Sequence, residues 1–307
     1  MICLEKVAKS IQKRQILDEI SFELHPGQIA GFLGPNGAGK TTTFRIITQY
    51  LMPDRGRVMI GGLDTLHHPL STRQMVGYLP ENPCLYPEMT VRDYLMFIAR
   101  IKHLNPIQLK QQYPSITEQT NLSTSQHQVI NRLSKGYRKR VALAQALLGD
   151  PKILILDEPF SGMDSFQMSD TRRLIRELAG DRIILLSSHI LAEVDQLCSH
   201  LIIIDKGRII ADGSSETVIQ RFLQTIKFRL TLSPLSSELI ECLKHHPQII
   251  RIDRIGESEG NQIEIETLNQ NNIQQEIARI IQTHHAMVIE FIPVSNRLED
   301  MYLQVIK

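Results

Sequence analysis

The run GPNGAGKT at residues 34–41 fits the spacing G-x-x-x-x-G-K-[ST] in full. That spacing suits one task, the cradling of phosphate groups. Gly34, Gly37 and Gly39 free the backbone to aim its N–H groups at phosphate oxygens, with Pro35, Asn36 and Ala38 completing the loop. A helix starting at its end adds a positive pole. Lys40 is spaced to reach the β- and γ-phosphates and Thr41 to offer its hydroxyl to Mg²⁺, with Thr42 in the same turn. A nucleotide hydrolase also needs a metal-binding carboxylate at the end of a neighbouring strand and a group to orient water. KILILDEP at 152–159 supplies both. Asp157 closes an aliphatic run and can hold Mg²⁺ through water. Glu158 points to the other side of the chain and can act as base for the attacking water.

A second candidate anion site lies in RLSKGYRKRVALAQALL, residues 132–148. Val141, Leu143, Ala144, Leu147 and Leu148 recur at helical spacing, and Ser134 is a good N-cap. By itself the stretch reads equally as a plain amphipathic helix. The alternative is that Ser134, the Gly136 backbone and the helix N-terminus bind an anion.

These residues need a frame. QIAGFL (28–33), KILILD (152–157), RIILLS (182–187) and HLIIID (200–205) are near-continuous aliphatic runs. Strands covered on both faces read that way, which predicts a parallel α/β sheet. TTTFRIITQYL and FQMSDTRRLIREL carry helical spacing between them. From about 82 to 150 no buried strand is evident, and TVRDYLMFIARIKH (90–103) is amphipathic, so this segment reads as a helical insertion. After Thr225 the pattern β-α-β-β-α-β predicts a small α+β, ferredoxin-like domain over 226–307, closed by a helix at RLEDMYLQVI.

Composition narrows the class. The chain has 307 residues, 42% hydrophobic and 22% charged, enough for a sizeable core and two domains. Its net charge of +1 gives no general attraction to nucleic acid or anionic lipid. Cys3, Cys84, Cys198 and Cys242 form no CxxC pair, which fits a reducing cytoplasm. MICLEKVAKS has no room for a signal-peptide apolar region, and no run approaches the ~18–20 apolar residues of a membrane span. The histidine pairs at 67–68, 245–246 and 284–285 lack accompanying ligands and read as solvated surface.

LSKGY (133–137), placed between the phosphate loop and KILILDEP, resembles the signature motif LSGGQ of ABC ATPases. SGMD (161–164) is similar to that family's D-loop, SSHIL (187–191) to its switch motif, and YLPE (78–81) stands at its Q-loop position. The resemblance covers residues 1–222 and implies the P-loop ABC ATPase fold. It implies further that Ser134 and Gly136 serve the γ-phosphate of ATP bound on a second subunit, that Asp164 lies at the subunit interface, and that His189 contacts the γ-phosphate. Glu81 would touch Mg²⁺ where the family usually has glutamine. Lys135 and Tyr137 depart from LSGGQ, and Ile11 occupies the position where an aromatic often stacks on adenine. YLPE, LSKGYRKR and an extension containing LEDMYL are similar to the ABC-2 type, including its gliding-motility-like branch.

The resemblance implies an ATPase subunit that uses ATP and Mg²⁺, dimerises with a like or unlike second subunit, and drives transport, mostly export, through a separate integral-membrane permease. It would then sit in the cytoplasm, peripheral on the inner face of the cell membrane. The stretch between Lys40 and Leu133 is too short for the coiled-coil arms of chromosome-organising relatives, and one cassette argues against a ribosome-associated factor. The alternative is a non-transport ABC ATPase acting as an ATP-dependent regulatory module. The domain over 226–307 carries no catalytic motif and would be regulatory or dimer-stabilising.

Overall fold

The chain opens with β1 (Ile2–Ile11) and β2 (Arg14–Leu24), then β3 (Ile29–Leu33), helix α1 (Lys40–Ile47), β4 (Arg55–Ile60), β5 (Leu63–Asp64), α2 (Pro69–Gln74) and β6 (Val76–Leu79). Three helices follow: α3 (Val91–Ile101), α4 (Pro106–Gln119) and α5 (Lys135–Leu147). The rest of the α/β pattern is β7 (Ile153–Asp157), α6 (Ser165–Ala179), β8 (Ile183–Ser187), α7 (Leu191–Leu197), β9 (His200–Asp205) and β10 (Arg208–Ser214). The computed structural model describes residues 1–255, 261–269, 272–294 and 297–306. It divides into two compact units, Met1–Ser215 and Glu216–Lys307.

The first unit is built on two sheets. The larger has the order β10-β9-β3-β8-β7-β6, with β9 through β6 parallel and β10 antiparallel at one edge. Every residue of β3, β7 and β8 is buried, as the aliphatic runs predict. The strand order places β3 beside β8 and β8 beside β7, so the segments that follow β3, β7 and β8 emerge at one end of the sheet. That is where a parallel α/β sheet gathers ligand-binding residues. The smaller sheet, β2-β1-β4-β5, is antiparallel. Phe22, Phe32 and Phe44, from β2, β3 and α1, pack ring against ring at 5.7 and 5.6 Å and join the two sheets through one core.

The insertion is helical. Thr90 caps α3 and Asn105 caps α4 through a capping box with Gln108. Ser134 caps α5, its Oγ accepting from the Tyr137 N–H at 3.3 Å. At the other end of α5 the Lys102 ammonium donates to the Gln145 and Leu148 carbonyls at 2.9 and 2.7 Å. Burial pushes Lys102 down to about 8. Tyr94 donates to the Gln145 side chain, so α3 holds the same turn twice.

The second unit begins with α8 (Ser215–Phe222) and continues β11 (Thr225–Ser233), α9 (Ser237–Lys244), β12 (Ile249–Ile255), β13 (Gln262–Leu268), α10 (Ile273–Thr283), β14 (Met287–Pro293) and α11 (Arg297–Val305). The sheet order β12-β13-β11-β14 is antiparallel and gives the split βαβ arrangement of a ferredoxin-like domain. Its core sets Phe228, Leu230, Leu232, Ile263 and Ile265 of the sheet against Leu239, Leu243, Ile277 and Ile281 of α9 and α10. Sequence reading places the boundary between 222 and 226; the structure divides the chain between Ser215 and Glu216, so α8 beyond its first residue falls with the second unit. Among the described residues no helix is long and apolar enough to cross a membrane.

Candidate functional site

The loop between β3 and α1 wraps around the first turn of α1. Gly39 is the N-cap of α1 at φ 115°, in the left-handed region, and a Cβ there would lie 2.6 Å from Leu17 Cδ2. Only glycine meets both demands. Lys40 turns its ammonium onto the loop, donating to the Gly34 and Pro35 carbonyls at 2.6 and 3.2 Å. Burial pushes its pKa down, while Glu158, Asp157 and Glu81 pull it up. A cation in a partly dry loop, faced by three carboxylates, is poised to exchange carbonyl contacts for phosphate oxygens.

At the end of β7, Asp157 is 2% exposed. Burial raises its pKa and Glu81 adds to the rise; the Ser187 and Thr41 hydroxyls and Lys40 oppose it. Ser187 donates to Asp157 Oδ1 at 2.6 Å, whereas Asp157 Oδ2 is buried with no hydrogen-bond partner among the described residues. A buried carboxylate oxygen beside a threonine hydroxyl and a second carboxylate is the donor chemistry a hard divalent cation takes.

Glu158 follows in the left-handed region at φ 50°, which costs a non-glycine residue about 1–2 kcal/mol. Its N–H donates to Ser187 Oγ at 3.0 Å. Its carbonyl accepts from the Ser161 N–H at 3.2 Å and from the Lys139 ammonium. Its carboxylate lies 2.6 Å from His189 Nδ1 and also accepts from the His189 N–H at 3.3 Å. The His189 ring is 66% exposed and the Glu158 side chain only 12%. The pair therefore stands at the rim of the site with its imidazole toward solvent.

A cavity of about 520 Å³ draws these residues together. Lys40, Thr41, Thr42, Asn36, Gly37 and Gly39 line it from the loop, and Glu81, Asp157, Glu158 and His189 from the sheet. Gly34, Pro35 and Ala38 of the same loop do not line it. Ile11 does not line it either; Ile16 does. Ile11 ends β1 opposite Arg14, across a two-residue turn in which Gln12 and Lys13 both have positive φ, and it is 41% exposed. The register of that hairpin brings Ile16 of β2, not Ile11, to the cavity.

Ser134, Gly136 and Asp164 also lie outside this cavity. Ser134 and Asp164 are the exposed N-caps of α5 and α6. Gly136 is buried in the first turn of α5, and a Cβ there would meet Gln167 Oε1 of α6 at 2.1 Å. Sequence reading gives Ser187, the first residue of SSHIL, no role; it joins Asp157 to the Glu158 main chain.

A strand–loop–helix phosphate cradle, a strand-end carboxylate and a following glutamate define a P-loop nucleotide hydrolase. Residues 17–161 match the ABC transporter family. The lipopolysaccharide export system ATP-binding protein of Haemophilus influenzae is 34% identical over 223 residues, spanning 71% of this chain and 92% of its own length. The Nod factor export ATP-binding protein I of Paraburkholderia xenovorans is 33% identical over 269 residues, 86% of this chain and 83% of its own. The solved structure of an ATP-binding subunit of an ABC transporter superposes with a TM-score of 0.67 at 28% identity, covering 72% of this chain and 93% of that one. The chain belongs to the ATP-binding proteins of the ABC transporter family, and is an ATPase.

Proposed function

We propose that the chain is the ATPase subunit of an ABC-2 type exporter, and that the cavity beside the phosphate loop is its hydrolytic site. The observation that carries this is the Glu158–His189 contact, set beside Lys40 and Asp157 in one cavity. The loop N–H groups and Lys40 hold the phosphates of ATP. Glu158 takes a proton from water as the water oxygen attacks the γ-phosphorus. The bond from that phosphorus to the bridging oxygen breaks, and the charge left on ADP is met by Lys40 and the loop. His189 steadies the Glu158 carboxylate and contacts the γ-phosphate. Thr41, Asp157 through water, and Glu81 would hold Mg²⁺, which supplies charge neutralisation of the phosphates. Ile16, with Ile11 nearby on the hairpin, leaves the adenine to aliphatic packing.

Ser134, Gly136 and Asp164 stand apart from the cavity, which fits their service to ATP bound on a second subunit. Two subunits, like or unlike, close on ATP and reopen after hydrolysis. Tyr50, Met52, Tyr86 and Ile101 are each at least half exposed, and Tyr50 and Lys102 line a separate cavity of about 520 Å³. Exposed aromatic and aliphatic side chains, and a hollow lined by Tyr50, suit the docking of a membrane permease. The subunit then works at the inner face of the membrane. The export ATPase matched over 86% of this chain supports the exporter reading. The YLPE and LSKGYRKR departures support the ABC-2 type and its gliding-motility-like branch.

Glu158→Gln tests the core of this proposal. It keeps the shape and removes the base. MgATP binding is expected to persist, hydrolysis to slow by ~10² or more, and an ATP-bound dimer to accumulate on size exclusion. Wild-type turnover would refute Glu158 as the base.

A further inference from the structure

Among the described residues, the buried cation Lys139 has no task in the chemistry proposed above. Lys139 lies on α5, is 2% exposed, and is held to about 8 chiefly by burial. An apolar side chain of similar length would fill the same space without desolvating a charge. What the ammonium adds is a hydrogen bond to the main-chain carbonyl of Glu158.

That carbonyl belongs to the residue whose backbone is left-handed at φ 50°. A strained conformation persists only where its surroundings over-determine it. Ser187 fixes the N–H side of Glu158 at 3.0 Å, and Lys139 with the Ser161 N–H fixes the carbonyl side. The side-chain direction follows from that backbone, and it ends in the 2.6 Å contact with His189. Lys139 also lies little more than one turn beyond Ser134, the N-cap of the same helix.

We propose that Lys139 is a positioning residue for hydrolysis, clamping the Glu158 main chain so that the carboxylate is aimed at the attacking water, and tying the base rigidly to helix α5. The inference rests on the reading of Glu158 as base. It makes α5 a rod with the anion-binding turn at its N-terminus and the clamp on the base just behind it. Movement of that turn then reaches the base of the same subunit directly through Lys139.

The test is steady-state and single-turnover ATPase measurement on the full chain, with ATP affinity measured alongside. Lys139→Met is expected to lower kcat about tenfold or more while KM and ATP affinity stay within about twofold. Lys139→Arg, which keeps donors at that depth, is expected to recover kcat to within about threefold of wild type. Lys139→Gln, polar but too short to reach the carbonyl, is expected to show the same split as Met and serves if Met fails to fold. In a Glu158→Gln background, Lys139→Met is expected to cause no further loss in single turnover. Wild-type kcat in both Lys139→Met and Lys139→Gln overturns the proposal. So does an equal loss in the wild-type and Glu158→Gln backgrounds, because the effect then does not pass through Glu158. Wild-type turnover of Glu158→Gln alone would instead sink the reading of Glu158 as base.

Discussion

Glu81 stands where an amide and a carboxylate behave differently. It lines the cavity, and its charge raises the pKa values of both Lys40 and Asp157. An ionised carboxylate can face a cation but repels a γ-phosphate and cannot donate to it. Glu81→Gln loses only the cation contact's full charge, so the ATPase rate is expected to stay within ~10-fold, about 1.4 kcal/mol of barrier. Glu81→Ala is expected to uncouple hydrolysis from transport more than it weakens ATP binding. ATP affinity, ATPase rate and cargo movement in the reconstituted complex check both variants. Abolished hydrolysis in Glu81→Gln would give the carboxylate a chemical role absent from this scheme. At this scale the phosphate loop, Asp157 and Glu158 were legible because their types and spacing are dictated by phosphate geometry. Ile16 was not, because a two-residue turn at Gln12 and Lys13 contains neither Asn nor Gly, the usual markers of a positive-φ hairpin.

Element by element, legibility followed burial. The runs over β3, β7, β8 and β9 were readable because parallel strands covered on both faces are aliphatic throughout. The antiparallel sheet went unread: in β2 only Leu17, Ile20, Phe22 and Leu24 turn inward, and Asp18, Glu19, Ser21 and Glu23 separate them. That alternation was the available signal. Helix α5 allows two tests. Gly136→Ala gains about 1 kcal/mol of helix propensity and must displace only the flexible end of Gln167. Its thermal midpoint is expected to stay within a few degrees of wild type while ATP-driven dimerisation falls, because the methyl group displaces the Gln167 amide packed against the anion-binding turn; dimerisation at wild-type level would remove this turn from the ATP sandwich. The other end of α5 makes a pH prediction. Lys102 is held at about 8 in the folded protein against 10.5 unfolded, so between those values the unfolded chain binds the extra proton. Lys102 therefore contributes stability that grows as pH rises through 8 toward 10.5 and is lost as pH falls through 8. Urea unfolding of wild type and Lys102→Met is expected to diverge in favour of wild type across that window, by on the order of 3 kcal/mol. A difference that stays flat with pH would show that Lys102 is not held low.

At the scale of the molecule, the question is which unit the nucleotide needs. Every residue lining the proposed hydrolytic cavity falls between Ile16 and His189, inside Met1–Ser215. The second unit has its own core, from Phe228 to Ile281, and its ferredoxin-like sheet closes without a strand from the first. Its β-α-β-β-α-β order was legible because each short element is amphipathic and turn residues punctuate them. Its start was not, because α8 follows β10 directly, with no linker composition at the division to mark it. We expect the second unit to regulate the ATPase or stabilise its dimer rather than to build the site. A chain ending at Ser215 is then expected to fold and to bind MgATP within about threefold of the full chain, about 0.7 kcal/mol, while its ATP-dependent dimerisation or its regulation changes. Isothermal titration with MgATP in the Glu158→Gln background, which prevents turnover, measures the first; sedimentation with and without ATP measures the second. If the shortened chain is folded by circular dichroism yet no longer binds ATP, the second unit is part of the nucleotide site. If it binds ATP and dimerises as the full chain does, a dimer-stabilising role is excluded and regulation alone is left for residues 216–307.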